Sequence, residues 1–324
     1  MVISLKQADP KTIPHSGYLT SGLAAVVGNT PLLPLHRLSG HLWPGVQVYA
    51  KAEWFNPGGS VKDRPALCIL RKALEEGLLT PEKRLLDSTS GNMGIAYATL
   101  AASMGIAVTL TLPSNASPER IKILRALGAE LVLTDPLEGS DGAMLVAKKM
   151  AQENPARYFY ANQYDNPANW QAHYETTGPE IWGQTGGEIT HLVAGMGTSG
   201  TITGTTHYLR EMNPAIRSVA FYPDSPFHGL EGLKHMPSAH QPGIYDPELP
   251  DEIRQVSTEE AYAMVRRLGR EEGLFVGISA GAAASAALQL AEELAARGEG
   301  GVVVTVFPDA GYKYLTAHFW EQSG

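Results

Sequence analysis

Apolar runs of strand length recur along this chain, and most are followed by a glycine- or hydroxyl-rich loop and then a segment with helical spacing. "RLLDSTSGNMGIAYATLAASMG" reads strand, glycine turn, helix. "AVTLTLPSNASPERIKILRALGAELVLTD" reads strand, loop, helix, strand, with Ser117 as N-cap and Pro118 at the first helical position. "ITHLVAGMGTSGTITGTTHYLREM" repeats the unit. "VQVYAKAEW" and "SVAFYPD" are further strands, "RPALCILRKALEEGLL" and "EEAYAMVRRLGREEG" further helices, and the nearly unbroken apolar "GVVVTVFPDAG" closes the series. Strands that alternate with helices pair in parallel and are covered on both faces, so the chain is expected to be α/β, with mainly parallel sheets flanked by helices.

At 324 residues the chain exceeds one ordinary core, and two lobes are expected. "NQYDNPAN" interrupts the alternation and puts the boundary near Asp165, giving an N-terminal lobe over 1–165 and a C-terminal lobe over 166–324. A net charge of −8 argues against a nucleic-acid partner, because phosphate neutralisation needs a basic surface. Cys68 is the single cysteine, so no intrachain disulfide forms. "MVISLKQADPKTIPHSG" lacks an apolar core of signal-peptide length, and the best apolar stretch, Gly277 to Leu290, runs into Glu292 and Glu293. A cytoplasmic protein without membrane span or bound metal is expected.

In doubly wound folds, ligands sit where loops leave the carboxyl ends of strands. "GMGTSGTITG", from Gly195 to Gly204, is one such loop. It holds Gly195-x-Gly197-x-x-Gly200 between strand and helix, a dinucleotide-binding pattern, and Asp224 follows at the end of the next strand as a candidate ribose acid. A nicotinamide-dependent oxidoreductase is therefore one reading. The loop is also crowded with the hydroxyls of Thr198, Ser199, Thr201 and Thr203, which suits a phosphate monoester with three free oxygens.

Lys62 lies in "NPGGSVKDRPA". Its spacing is not that of a phosphate-loop lysine, and its plainest role is a surface cation paired with Asp63. A lysine beside a desolvated pocket also forms Schiff bases with carbonyl groups. Lysine and monoester loop together point to pyridoxal 5′-phosphate. The third loop, "STSGNMG" from Ser88 to Gly94, offers amides and hydroxyls at a helix start to an α-carboxylate, with Asn92 placed to hydrogen-bond a phenolic oxygen.

The ordered set "GNTPLLPLHRL", "NPGGSVKDRPA", "TSGNMGIAYA", "NQYDNPAN", "TTGPEIWGQTGG", "GMGTSGTITG" and "GLFVGISAGAA" resembles the cysteine synthase family of fold-type II pyridoxal-phosphate enzymes, most closely its cysteine synthase B branch. The resemblance implies a fold like that of the tryptophan synthase β subunit, in two lobes, with the first part of the N-terminal lobe crossing to the larger one, and a homodimer. It implies Lys62 as Schiff-base lysine, and Gly197, Thr198, Ser199, Gly200 and Thr201 as the phosphate loop. It sets Asn92 against the pyridoxal 3′-oxygen and Ser279 against the pyridine nitrogen. Thr89, Ser90, Gly91, Met93 and Gln163 fall to the substrate carboxylate. Lys234, in "LKHMP", matches a place where cysteine synthase B relatives carry arginines linked to larger anionic co-substrates.

The implied reaction is β-replacement: cysteine from an O-activated serine, O-acetylserine favoured, and sulfide, through an aminoacrylate. O-phosphoserine, thiosulfate or a cystathionine-type condensation are the alternatives. Met93 stands where the family's loop usually has threonine, so one hydroxyl donor is missing, at a cost of roughly 1 kcal/mol if nothing replaces it. No arginine stands near Asp224 and Ser225, where the phosphoserine-using branch has one. Asp309-Ala310 follows the cysteine synthase B form of the C-terminal strand, although a turn after that strand accounts for it equally.

Overall fold

The computed structural model describes residues 22–89 and 91–321. In chain order the elements are β1 (Leu32–Pro34), α1 (His36–Ser39), β2 (Val46–Ala52), α2 (Asp63–Glu75), β3 (Arg84–Ser88), α3 (Asn92–Met104) and β4 (Val108–Pro113). Next come α4 (Pro118–Ala126), β5 (Glu130–Thr134), α5 (Gly139–Glu153), β6 (Tyr158–Tyr160), α6 (Ala168–Ala172), α7 (Gly178–Gln184) and β7 (His191–Gly195). The chain finishes with α8 (Gly200–Met212), β8 (Arg217–Pro223), β9 (Glu252–Val256), α9 (Thr258–Arg267), α10 (Ile278–Ala296) and β10 (Gly301–Phe307).

These strands form two sheets, one of six strands in the order β1-β2-β10-β7-β8-β9 and one of four in the order β5-β4-β3-β6. All pairings are parallel except β1 with β2. β1 and β2 precede the small sheet in sequence yet belong to the large one, so the chain leaves the large sheet, builds the small one, and returns.

Sequence chemistry explains the local choices. β10 lies between β2 and β7, with Val303 opposite both Val48 and His191, so neither of its edges is free, and its residues from Val303 to Phe307 are buried, Thr305 among them. Small residues along "SAGAAASAA" let α10 lie buried against that sheet. Ser257 and Glu260 close a reciprocal capping box at the start of α9. Ser117 does precede α4, with Pro118 first in the helix, but its hydroxyl donates to Glu119 Oε2 at 2.6 Å and does not cap the backbone.

Candidate active site

The carboxyl ends of β3, β7 and β10 open onto one cavity of about 460 Å³, within the usual size of a small-molecule site. Lys62, Thr89, Asn92, Gln163, Thr198 and Ser279 all line it, so the fold gathers residues spread over more than two hundred positions.

Lys62 immediately precedes α2, at the end of the turn that begins at Asn56. Asp63 does not pair with it. The Asp63 carboxylate instead accepts the amides of Gly58, at 2.6 Å, and Ser60, at 3.2 Å, bracing the turn from inside. Burial pushes the Asp63 carboxyl up to about 6 against the pull of those amides. The Val61 amide donates to the Pro308 carbonyl, which ties the turn to the segment after β10. Among the described residues the Lys62 ammonium has no hydrogen-bond or ion-pair partner. Burial pushes its proton affinity below the ordinary lysine value, opposed by the fields of Asp309 and Glu53.

Across the cavity, Gly197 to Thr201 form the approach to α8. Ser199 takes a left-handed conformation, φ 67°, which a side chain adopts at a cost and which turns successive amides toward one side. The first amides of α8 have no intrahelical acceptor, and the helix dipole adds partial positive charge there. A Cβ on Gly197 would collide with the Gly232 carbonyl, and one on Gly200 with Asn169 Oδ1, so this close-packed cradle requires glycine at both positions. Thr198 Oγ1 accepts from Asn169 Nδ2 at 3.1 Å, and Thr201 Oγ1 lies 3.3 Å from His173 Nε2. Burial holds His173 well below its ordinary value, so it is neutral. Amides, hydroxyls and a helix start make a cup for a phosphate monoester, and the free lysine faces the same cavity. This donor set fits pyridoxal phosphate.

The carboxylate loop is partly as expected. Thr89 Oγ1 accepts the amides of Gly91 and Gly94, at 3.2 and 3.3 Å, and Gly91 and Met93 line the cavity. Met93 is itself buried. Ser90 lies outside the described residues. Gln163 is buried, and its Nε2 donates to the Ser88 carbonyl at 3.0 Å. Asn92 is more constrained than expected: its Nδ2 donates to Asp309 Oδ2 at 2.6 Å, and its Oδ1 accepts from Lys313 Nζ at 2.7 Å. One amide N–H remains for a ligand. Ser279 falls in the first turn of α10, and its hydroxyl has no hydrogen bond among the described residues. Lys234 joins the wall with its Nζ 4.6 Å above the Tyr164 ring, donating to the His240 carbonyl and 3.8 Å from Asp141.

Several site residues escaped the sequence reading. Asp309 is fully buried, one oxygen accepting from Asn92 and from Tyr314 Oη at 2.7 Å and the other without a partner, and burial raises its carboxyl. Asn169 joins two loops, donating to the Gln163 carbonyl as well as to Thr198. Arg120 of α4 lines the cavity and pairs with Glu231. The sequence reading touches these segments in "NPAN", as a boundary, in "SPERIKIL", as a helix, and in "FPDAG", as a turn or a mark of the cysteine synthase B branch, but gives none of these contacts. Asp224 is exposed and does not line the cavity, so no ribose-binding acid accompanies the glycine loop.

Two mainly parallel sheets with a half-buried lysine facing a phosphate cup define a fold-type II pyridoxal-phosphate enzyme, and the sequence pattern of the family described as pyridoxal-phosphate dependent enzymes matches residues 23–309. A cysteine synthase from Aquifex aeolicus is 53% identical over 90% of this chain and 89% of its own length. Cysteine synthase B from Pseudomonas aeruginosa is 42% identical over 92% and 97%. The crystal structure of a cysteine synthase from Entamoeba histolytica superposes with a TM-score of 0.88 at 36% identity, covering 100% of this chain and 95% of that one. The chain belongs to the cysteine synthase family of pyridoxal-phosphate dependent enzymes. That membership removes the oxidoreductase reading of the glycine loop.

Proposed function

We propose that this chain makes L-cysteine from O-acetylserine and sulfide by pyridoxal-phosphate-dependent β-replacement. The carrying observation is Lys62, half-buried, partnerless among the described residues and facing the hydroxyl-and-amide cup across one cavity. When bound, pyridoxal phosphate supplies an electron sink that acidifies the substrate Cα–H and lets the β-acetoxy group leave. Lys62 would hold the cofactor and, displaced by the substrate amine, would carry the proton from Cα and back. Its desolvation lowers its proton affinity, which favours the free amine that a proton acceptor needs. Gly197 to Thr201 would hold the phosphate, with Asn92 assigned to the 3′-oxygen and Ser279 to the ring nitrogen. Thr89, Ser90, Gly91, Met93 and Gln163 orient the α-carboxylate. A hydroxyl cannot hold a ring proton as a carboxylate does, which favours prompt elimination over prolonged carbanion storage. The working form is a cytoplasmic homodimer.

The test is cysteine formation from O-acetylserine and sulfide by the purified, cofactor-loaded protein, beside Lys62→Ala. The variant is expected to lose turnover, and borohydride reduction of the wild type is expected to leave the pyridoxyl mass on the peptide that contains Lys62. Label on a different lysine, or full activity in the variant, overturns the reading.

A further inference from the structure

Asp87 closes β3 immediately before the carboxylate loop, and only 1% of it is exposed. One carboxylate oxygen accepts the Ser88 amide at 2.8 Å, and the other accepts the Gln163 amide at 3.3 Å, from a residue seventy-six positions away. Gln163 returns the connection through its Nε2 to the Ser88 carbonyl. Two hydrogen bonds therefore join the end of β3 to the loop after β6, and the Ser88 amide fixes the Asp87 side chain that makes one of them. Asn169 extends this chain from the Gln163 carbonyl to Thr198 in the phosphate cup.

The groups acting on the carboxylate are tyrosines: Tyr97 of α3, Tyr160 of β6 and Tyr164 of the following loop. Tyr97 Oη lies beside it without completing a hydrogen bond of ordinary geometry. Among the described residues no cation is paired with it, and burial pushes its carboxyl up to about 7. A purely structural residue at this place would be more stable as an uncharged isostere.

We propose that Asp87 is a positioning residue for the amino-acid substrate, fixing the separation of the Thr89 loop and Gln163 so that both reach one α-carboxylate. This rests on the functional reading above. Asn at this position keeps one acceptor and turns an N–H toward a backbone N–H, so one of the two pins is lost. Asp87→Asn is therefore expected to raise the KM for O-acetylserine about tenfold, the effect of roughly one hydrogen bond. The KM for sulfide, which enters after the acetoxy group has gone, stays near the wild-type value, as does kcat.

Two further readouts separate positioning from support. The folded state keeps the Asp87 proton up to about pH 7, whereas the unfolded chain releases it near about pH 4, so ionisation lowers stability as pH rises through that interval. Asp87→Asn removes this loss and should melt no lower than wild type at pH 8, whereas a supporting role predicts a lower melting temperature. The dissociation constant of L-serine, a non-reacting ligand, read from the visible absorbance of the holoenzyme, should rise in step with KM. In a Gln163→Ala background, Asp87→Asn should add little, because both act through one loop.

An unchanged KM and serine affinity in Asp87→Asn overturns the proposal, as does an equal rise in both substrates' KM. If that variant does not fold, Asp87→Ser, which cannot reach Gln163, carries the same test with the same outcomes. Failure of the wild type to turn over O-acetylserine and sulfide overturns the functional reading instead.

Discussion

Lys234 shows how context modifies a residue that sequence can find. The sequence marks it in "LKHMP", at a place where cysteine synthase B relatives carry arginines, and it does line the cavity wall, but the structure adds Asp141 beside it and a carbonyl that occupies one of its three donors. Burial lowers its proton affinity and Asp141 raises it. Its remaining field still favours anionic sulfur donors approaching a site that holds a dianion. Lys234→Ala should raise the apparent KM for thiosulfate several-fold, with less effect on sulfide and a smaller difference at high salt, and Asp141→Asn should shift thiosulfate the opposite way. Steady-state kinetics with both donors across ionic strength check this, and equal changes for the two donors refute it. The other residues divide by range. Lys62 and Thr198 stand out in the sequence because their signals are local, a lysine beside a glycine-serine turn and a hydroxyl-rich helix start, whereas Ser279 is named only through the family resemblance. Asp309, Lys313 and Asn169 were not, because each gains its role from a partner that the fold alone delivers; Lys313 reaches Asn92 across two hundred and twenty-one positions.

Elements were more legible than their anchorage. Periodicity gave β2, α2, β8, α9 and β10, but nothing in it announced how α2, which follows the lysine directly, is held in place. Arg64 in its first turn is fully buried and hydrogen-bonds Glu53 at 2.7 and 2.8 Å and Glu180 of α7 at 2.7 and 2.8 Å. Lys51 of β2 reaches the same Glu180 at 2.6 Å, and Thr30 closes the group onto Glu53 at 2.7 Å. Strand, lysine helix and α7 therefore meet in one buried network. The Arg64 and Lys51 charges hold the Glu180 carboxyl down at about 2, against burial, which is the first influence on it. Removing one member strands the others in a dry interior. Glu53→Ala should cost on the order of 3–5 kcal/mol of stability and weaken cofactor retention, measured by denaturant titration and by loss of the yellow colour on dialysis. A loss below about 1 kcal/mol would show that water enters and rescues the charges.

For the whole molecule, the alternation of strand and helix sufficed to expect parallel sheets in two lobes, while the strand order had to be seen. Nothing local says that the last strand inserts between the second and the seventh, since register is set by partners and not by the strand itself. That insertion has a consequence for synthesis on the ribosome. The small sheet is complete once residue 160 has emerged, but β2 and β7 each wait with an open edge until residues 301–307 are made. Open edges of apolar strands invite pairing with other chains, so the incomplete large sheet is the vulnerable species during translation. Nascent chains stalled after residue 299 should give a protease-resistant fragment spanning roughly 84–160 and rapid cleavage across 191–256, whereas release of the full chain should protect both. Equal protection of both regions before the last strand emerges would mean that β2 and β7 pair provisionally with each other, and that β10 must later part them.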